Sequence, residues 1–147
     1  MAINPGVKLE GVTINGVCKF NKVTLFGSNC HVNGVWVDGK GEVEIGNDCH
    51  FGKDIKIFTQ NHNYKSAVRL PYDDSYELKP VKIGNYVWVG SHVIILPGSI
   101  IGDGVIVQAG AVVHGRLEDC GIYGGNPAVR FGSRNVDDFS RLNQYAC

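Results

Sequence analysis

The chain has 147 residues, 44% of them hydrophobic, and fourteen basic side chains balance fourteen acidic ones to a formal net charge of zero. That length suffices for one domain with a real core, and a neutral chain lacks the electrostatic footprint of a nucleic-acid binder. No apolar run of about eighteen residues predicts a transmembrane helix, and the start MAINPGVKLEGV lacks the basic-then-apolar order of a signal peptide.

In chain order, the first pattern is an apolar residue at every sixth place: Ile14, Phe20, Phe26 and Val32. The register then slips by one residue around Asp38-Gly39-Lys40-Gly41, where a turn-rich insertion or bulge is expected. The six-residue phase resumes at Ile45, Phe51 and Ile57, with Gly46 and Gly52 one place on and Cys49 and Ile55 in a smaller slot. The next key residue is due at position 63, yet the pattern returns only at Ile83, so about residues 59–80 are extruded as a loop. From Ile83 the phase runs unbroken through Val89, Ile95, Ile101, Val107 and Val113. Val87, Val93, Ser99, Val105, Ala111 and Leu117 follow four places after each.

A six-residue period fits neither an amphipathic helix nor unrelated strands. It fits an all-β parallel solenoid with three short faces and eighteen residues per coil, the key aliphatics pointing into the prism. Residues 1–130 are read as this single domain, and 131–147 as a C-terminal tail or capping helix. In the helical reading Asn135 is the N-cap, and Phe139, Leu142 and Tyr145 share roughly one face that covers the open solenoid end.

Several residues stand out for chemistry. The extruded loop TQNHNYKSAVRLPYDDSYELKP carries His62 and three tyrosines, Tyr64, Tyr72 and Tyr76, which stack on a ligand or pin the loop. Trp88 precedes the inward Val89, so its parity points it outward, toward an interface or ligand surface; Trp36 and Tyr86 suit similar packing roles. Ser91 and Ala109 are eighteen residues apart and therefore stack, so their backbone groups can line an elongated ligand. Cys18, Cys30, Cys49, Cys120 and Cys147 are odd in number and contain no CxxC, which reads as reduced thiols in a cytoplasmic protein. Among His31, His50, His62, His92 and His114 no pair has the eighteen-residue spacing that would stack two of them, so no metal site is read.

Three segments carry a family resemblance: IGNDCHFGKDIKIFTQNH at 45–62, VKIGNYVWVGSHVIILPGSIIGDGVIVQAGAVV at 81–113, and GNPAVR at 125–130. Together they resemble the hexapeptide-repeat acyltransferases, the left-handed β-helix group, and most closely the galactoside- and maltose-type sugar O-acetyltransferases. The resemblance implies left-handed coiling and a homotrimer with sites between subunits. It also implies direct transfer from acetyl-CoA to a hydroxyl of a sugar, polysaccharide or sugar precursor, without metal, nucleic acid or membrane span. His62 then matches the general base. A sugar hydroxyl is a poor nucleophile at neutral pH, and a neutral imidazole removes its proton as it attacks the thioester.

By the same resemblance the Ser91 amide faces the oxyanion and Ala109 lies along the cofactor. His114 and Gly115 stand where related enzymes have threonine and lysine near the cofactor, and Val129 stands at the usual basic position after GNPA. Arg130 and Arg134 are the substitutes for the CoA phosphates. Asn33 and Asp38 fall near the family's acceptor contacts, with Trp88 close to the site. Three other readings share the fold: an acetyltransferase for a drug or other non-sugar acceptor, a zinc enzyme of the γ-carbonic anhydrase type, and a non-catalytic interaction solenoid.

Overall fold

The structure is a computed structural model that describes residues 8–145 and the strand Ala2–Ile3. Each coil lays one short strand on each of three faces. Face C stacks Thr24–Phe26, Val43–Ile45, Val81–Ile83, Ile100–Ile101 and Arg116–Leu117 in parallel. Face B climbs from Val12–Ile14 through Cys30–Val32, His50–Phe51, Trp88–Val89 and Ile106–Val107 to Gly121–Gly124. Face A runs from Ala2–Ile3 through Cys18–Lys19, Val35–Asp38, Ile55–Phe58 and Ile94–Ile95 to Val112–Val113. The chain passes C to B to A in every coil, so the prism has C–B, B–A and A–C corners.

The spacing explains the core. Ile83, Val89, Ile95, Ile101, Val107 and Val113 point inward and are at most 3% exposed. Ile45, Phe51 and Ile57 continue the same stacks downward, in register with Ile83, Val89 and Ile95. The smaller slot residues Cys49, Val87, Val93, Ser99, Val105 and Ala111 are buried where each corner narrows. Among the described residues Cys18, Cys30, Cys49 and Cys120 are free, buried thiols; Cys147 lies outside the described residues. The hydrogen bond to Cys30, together with burial, pushes the Cys49 thiol up, so it packs as a small apolar group.

The C–B corner shows how a turn repeats. Asn47 Oδ1 accepts the Ser28 amide (2.8 Å), Asn85 Oδ1 the Asn47 amide (2.8 Å), Asp103 Oδ1 the Asn85 amide (2.7 Å) and Asp119 Oδ1 the Asp103 amide (2.9 Å). Each coil thus satisfies a turn amide of the coil below, where no strand ladder reaches. Asn29, Asp48, Tyr86 and Cys120 take positive φ at this corner, as does Gly104 in the same row. A side chain at Gly104 would meet the Phe139 ring at 2.5 Å, so this place needs glycine for contact as well as for φ.

The register slip is made in two steps. Lys19 pairs with Trp36, seventeen residues on, and Trp36 pairs with Lys56, twenty residues on. The Asn33-Gly34 corner is therefore short, and the turn at 39–42 is long. One consequence corrects the histidine reading: His31 and His50, nineteen residues apart, do stack, with ring centroids 5.8 Å apart and planes 15° from parallel. The slip adds one residue to that coil, so spacing by eighteen misses the pair.

At the A–C corner after Phe58 the chain leaves the prism. Gln60–His62 pairs antiparallel with Tyr76–Leu78, and the neck closes where Thr59 donates to the Asp38 carbonyl and the Lys79 amide to the Thr59 carbonyl. At the other end Val129–Ser133 folds back antiparallel on Gly121–Gly124. The helix α1 (Val136–Leu142) follows, and Asn135 Oδ1 accepts the Asp138 amide at 2.9 Å as its N-cap. The helix does not lie over the open end. Phe139 packs edge-on against Tyr86 (5.8 Å, 89°) and over Gly104, so α1 runs beside the C–B corner. The returning strand directs it there: the Arg134 amide donates to the Cys120 carbonyl and its guanidinium to the Gly104 carbonyl.

Candidate active site

His62 ends the first strand of the extruded ribbon, opposite Tyr76, and is exposed. Its ring lies 3.8 Å from that of Tyr72, nearly parallel at 16°, and 4.8 Å from that of Tyr76. Stacking sets the plane of the imidazole and leaves its nitrogens at the edge, the geometry a general base needs. Tyr72 is held in turn by the loop tip. Arg69 donates to the Tyr72 carbonyl (3.1 Å) and forks onto Asp74. Asp73 accepts from the Ser75 hydroxyl, the Ser75 amide and the Asn63 side chain. The Ser75 hydroxyl, followed by its amide, holds the Asp73 carboxyl down at about 2. The three loop tyrosines thus differ: Tyr72 stacks on His62 and Tyr76 lies tilted against it, whereas Tyr64 stays out in solvent beside Lys65.

Ser91 lies at the B–A corner after Trp88–Val89. Its carbonyl accepts the Gly110 amide (2.9 Å) and its hydroxyl the Lys53 amide (3.0 Å), while its own N–H meets no acceptor among the described residues. Ala109 occupies the same corner one coil above, so close that a Cβ on Gly90 would sit 2.6 Å from the Ala109 nitrogen. Asn33 belongs to this corner too, two coils below Ser91, and donates to the Phe51 carbonyl at 2.8 Å. Trp88 projects from face B, half exposed, in register with His50 and Ile106.

The candidate residues therefore fall on two edges of the prism. Asn33, Ser91 and Ala109, flanked by Trp88, share the B–A edge. Asp38, His62 and His114 share the A–C edge: Asp38 sits at the root of the ribbon, paired with Phe58, and His114 lies at the same corner beyond Val113. One chain does not bring His62 and Ser91 together. Arg130 lies on the returning strand of face B, exposed, with its Nε on the Gly132 carbonyl. Arg134 donates its Nε to the Gly104 carbonyl (2.6 Å) and so helps seat the helix.

His50 escaped the sequence reading. It packs beside Trp88 and lies 3.4 Å from Asn33 Nδ2. Its offset of thirty-eight residues from Trp88 is one coil plus the extruded loop, so removing the loop from the count would have revealed the neighbour. Phe139 and Leu142 were placed on one helix face, but no sequence signal showed that this face looks toward Trp88.

Comparison with known proteins agrees with this architecture. Residues 80–115 match the bacterial transferase hexapeptide model (six repeats). The chain is 46% identical over 121 residues to a chloramphenicol acetyltransferase of Agrobacterium fabrum, covering 78% of this chain and 53% of that protein. It is 30% identical over 95 residues to the galactoside O-acetyltransferase of Escherichia coli, covering 60% and 46%. A hexapeptide-repeat acetyltransferase from Vibrio cholerae, solved with acetyl coenzyme A, superposes with a TM-score of 0.71 at 26% identity over 85% of this chain and 72% of that one. Superposition does not invert a helix, so the chain coils in the same sense as that structure. Residues 80–115 thus carry the hexapeptide repeat, and the chain is similar over most of its length to hexapeptide-repeat acetyltransferases. It spans little more than half the length of the leading curated relatives it matches. No helix among the described residues is long and apolar enough to cross a membrane.

Proposed function

We propose that this chain is an acetyl-CoA-dependent O-acetyltransferase, cytoplasmic, that transfers the acetyl group directly to a hydroxyl of a sugar or sugar-containing acceptor. The observation that carries the reading is His62, exposed on a ribbon with its ring stacked on Tyr72 and against Tyr76. In this mechanism His62 takes the hydroxyl proton as the oxygen attacks the thioester carbonyl. The Ser91 N–H, which meets no acceptor among the described residues, stabilises the tetrahedral oxyanion, and the thiolate of CoA departs with the proton that His62 took up. Ala109, one coil above, would line the pantetheine arm, His114 and Arg130 would meet the cofactor's polar end, and Asn33, Asp38 and Trp88 would face the acceptor.

Because His62 and Ser91 belong to different edges, the site is completed by a second copy in a homotrimer. The ribbon of one copy reaches the B–A edge of its neighbour.

A second reading keeps the chemistry and changes the acceptor to a drug-like alcohol; the relative from Agrobacterium fabrum supports it. Both are tested by thiol release from acetyl-CoA with sugars, oligosaccharides and chloramphenicol as acceptors. His62→Ala is expected to lower kcat by roughly 10²–10⁴-fold, with acetyl-CoA affinity and Tm nearly unchanged. Near-normal turnover in that variant would remove His62 from the base role. Absence of both turnover and acetyl-CoA binding would leave the solenoid as an interaction module.

A further inference from the structure

The tip of the extruded loop presents apolar surface to water. Val68 and Leu70 are 86% and 85% exposed, and no other large apolar side chain among the described residues exceeds 66%. Single exposed apolar residues are ordinary, but these two flank one residue on a tip fixed by hydrogen bonds. The Val68 amide donates to the Ser66 hydroxyl (3.2 Å), and Arg69 is held on the Tyr72 carbonyl and on Asp74.

A recess of about 590 Å³ lies between α1 and face B. Tyr86, Val87 and Trp88 line one side, and Phe139 and Leu142 the other. A recess of that size has room for two aliphatic side chains. No residue of the loop lines it within one copy, because the loop leaves from the A–C corner and the recess lies beside the C–B corner. Charge does not oppose a contact between the two. Loop residues 63–75 carry Lys65 and Arg69 against Asp73 and Asp74. The recess has Asp48 and Asp138 against Arg134 and the Arg141 that pairs with Asp138. Both sides are therefore neutral, and burial of apolar surface drives the fit. The reach suffices. Leu70 stands eight residues beyond His62 and six before Tyr76, a tether of at most about 20 Å. Trp88, at the near side of the recess, is three residues before Ser91, within roughly 10 Å along face B.

We infer that Val68 and Leu70 of one copy seat in the recess between α1 and face B of the next copy. The inference rests on the acetyltransferase reading, which requires His62 of one copy to meet Ser91 of another, but its test does not depend on turnover. The tip takes the helix side, against Phe139 and Leu142, and Trp88 stays free on the side of Ser91. The contact is head-to-tail, tip to recess, so repeating it around an axis closes a ring. Helix α1 holds no catalytic group, yet as the receptor for the neighbour's ribbon it decides whether His62 reaches the site it completes.

The experiment is disulfide trapping in the full chain. Leu70→Cys and Leu142→Cys are combined in a Cys147→Ser background and oxidised with copper phenanthroline, and the products are separated by denaturing electrophoresis without reductant. Cys18, Cys30, Cys49 and Cys120 are buried and do not compete. Covalent species of two and three chains are expected from the double variant and from neither single variant. A double variant that stays at the mass of one chain, or single variants that cross-link as readily, overturns the contact. Leu70→Asp tests it without oxidation. The dissociation constant of the oligomer, from sedimentation, should rise about tenfold or more, with the circular dichroism spectrum unchanged because the tip is no part of the core. An oligomer as tight as the parent's overturns the contact as well. CoA release is read separately. A trapped oligomer that transfers no acetyl group counts against the transferase reading and leaves the contact standing. Full turnover by Leu70→Asp, with no trapping of the double variant, does the reverse.

Discussion

At the scale of single residues, the site depends on side chains held by neighbours that do no chemistry. His62 is aimed by Tyr72, and Tyr72 is placed by the hydrogen bonds around Asp73 and Arg69. Asp73 is half-buried, and its carboxyl is held at about 2 by the Ser75 hydroxyl and amide. A depressed carboxylate stabilises the folded form fully above its ordinary value, near 4, and that contribution fades as pH falls through about 2. The loop tip should therefore keep its geometry throughout mildly acidic conditions. A carbon-13 NMR titration should find the Asp73 midpoint near 2 in the parent and higher in Ser75→Ala, which loses the hydroxyl but keeps the amide bond. A parent midpoint near 4 would mean that Ser75 does not anchor the tip. The stacked His31 and His50 teach a lesson at the same scale, because a one-residue slip in a single coil concealed them from a strict spacing rule.

At the scale of elements, ribbon and helix are the two departures from the repeat, and each adds what a regular coil lacks. The ribbon carries a titratable group away from the prism on strands short enough to be held at the neck by Thr59. Helix α1 buries none of its residues and depends on its cap, on Phe139 against Tyr86, and on the Gln144 amide bonded to the Tyr86 hydroxyl. Asn135→Ala should cost about 1 kcal/mol through loss of the bond to the Asp138 amide. In so short a helix that loss should appear as fraying, seen as faster amide exchange at Asp138 and Phe139, while the core strands keep their protection. Equal exchange in parent and variant would show that packing on the corner, rather than the cap, holds the helix.

At the scale of the whole molecule, a three-sided prism separates what the chemistry must join. His62 stands on the A–C edge and Ser91 on the B–A edge. Mixing copies should therefore restore what each lacks. His62→Ala coexpressed with Ser91→Pro, which removes the candidate oxyanion N–H, should regain measurable CoA release although neither variant alone is active. No recovery in a verified mixed oligomer would place both groups in one copy's site.

The amino-acid sequence by itself determined the period, the three-faced coil and the inward stacks, because an aliphatic residue every sixth place can be buried in few other ways. It also showed where the chain leaves the prism, since Ile57 and Ile83 stand too far apart for one face. The tertiary structure alone decided what lies beside what across coils. His50 reached Trp88 and Asn33, Arg134 went to a backbone carbonyl, and α1 settled on the C–B corner beside Tyr86 rather than over the solenoid end. The physical reason is that periodicity encodes burial, which repeats locally. Lateral contacts depend on the residues inserted or deleted between coils and on where a returning strand directs the chain.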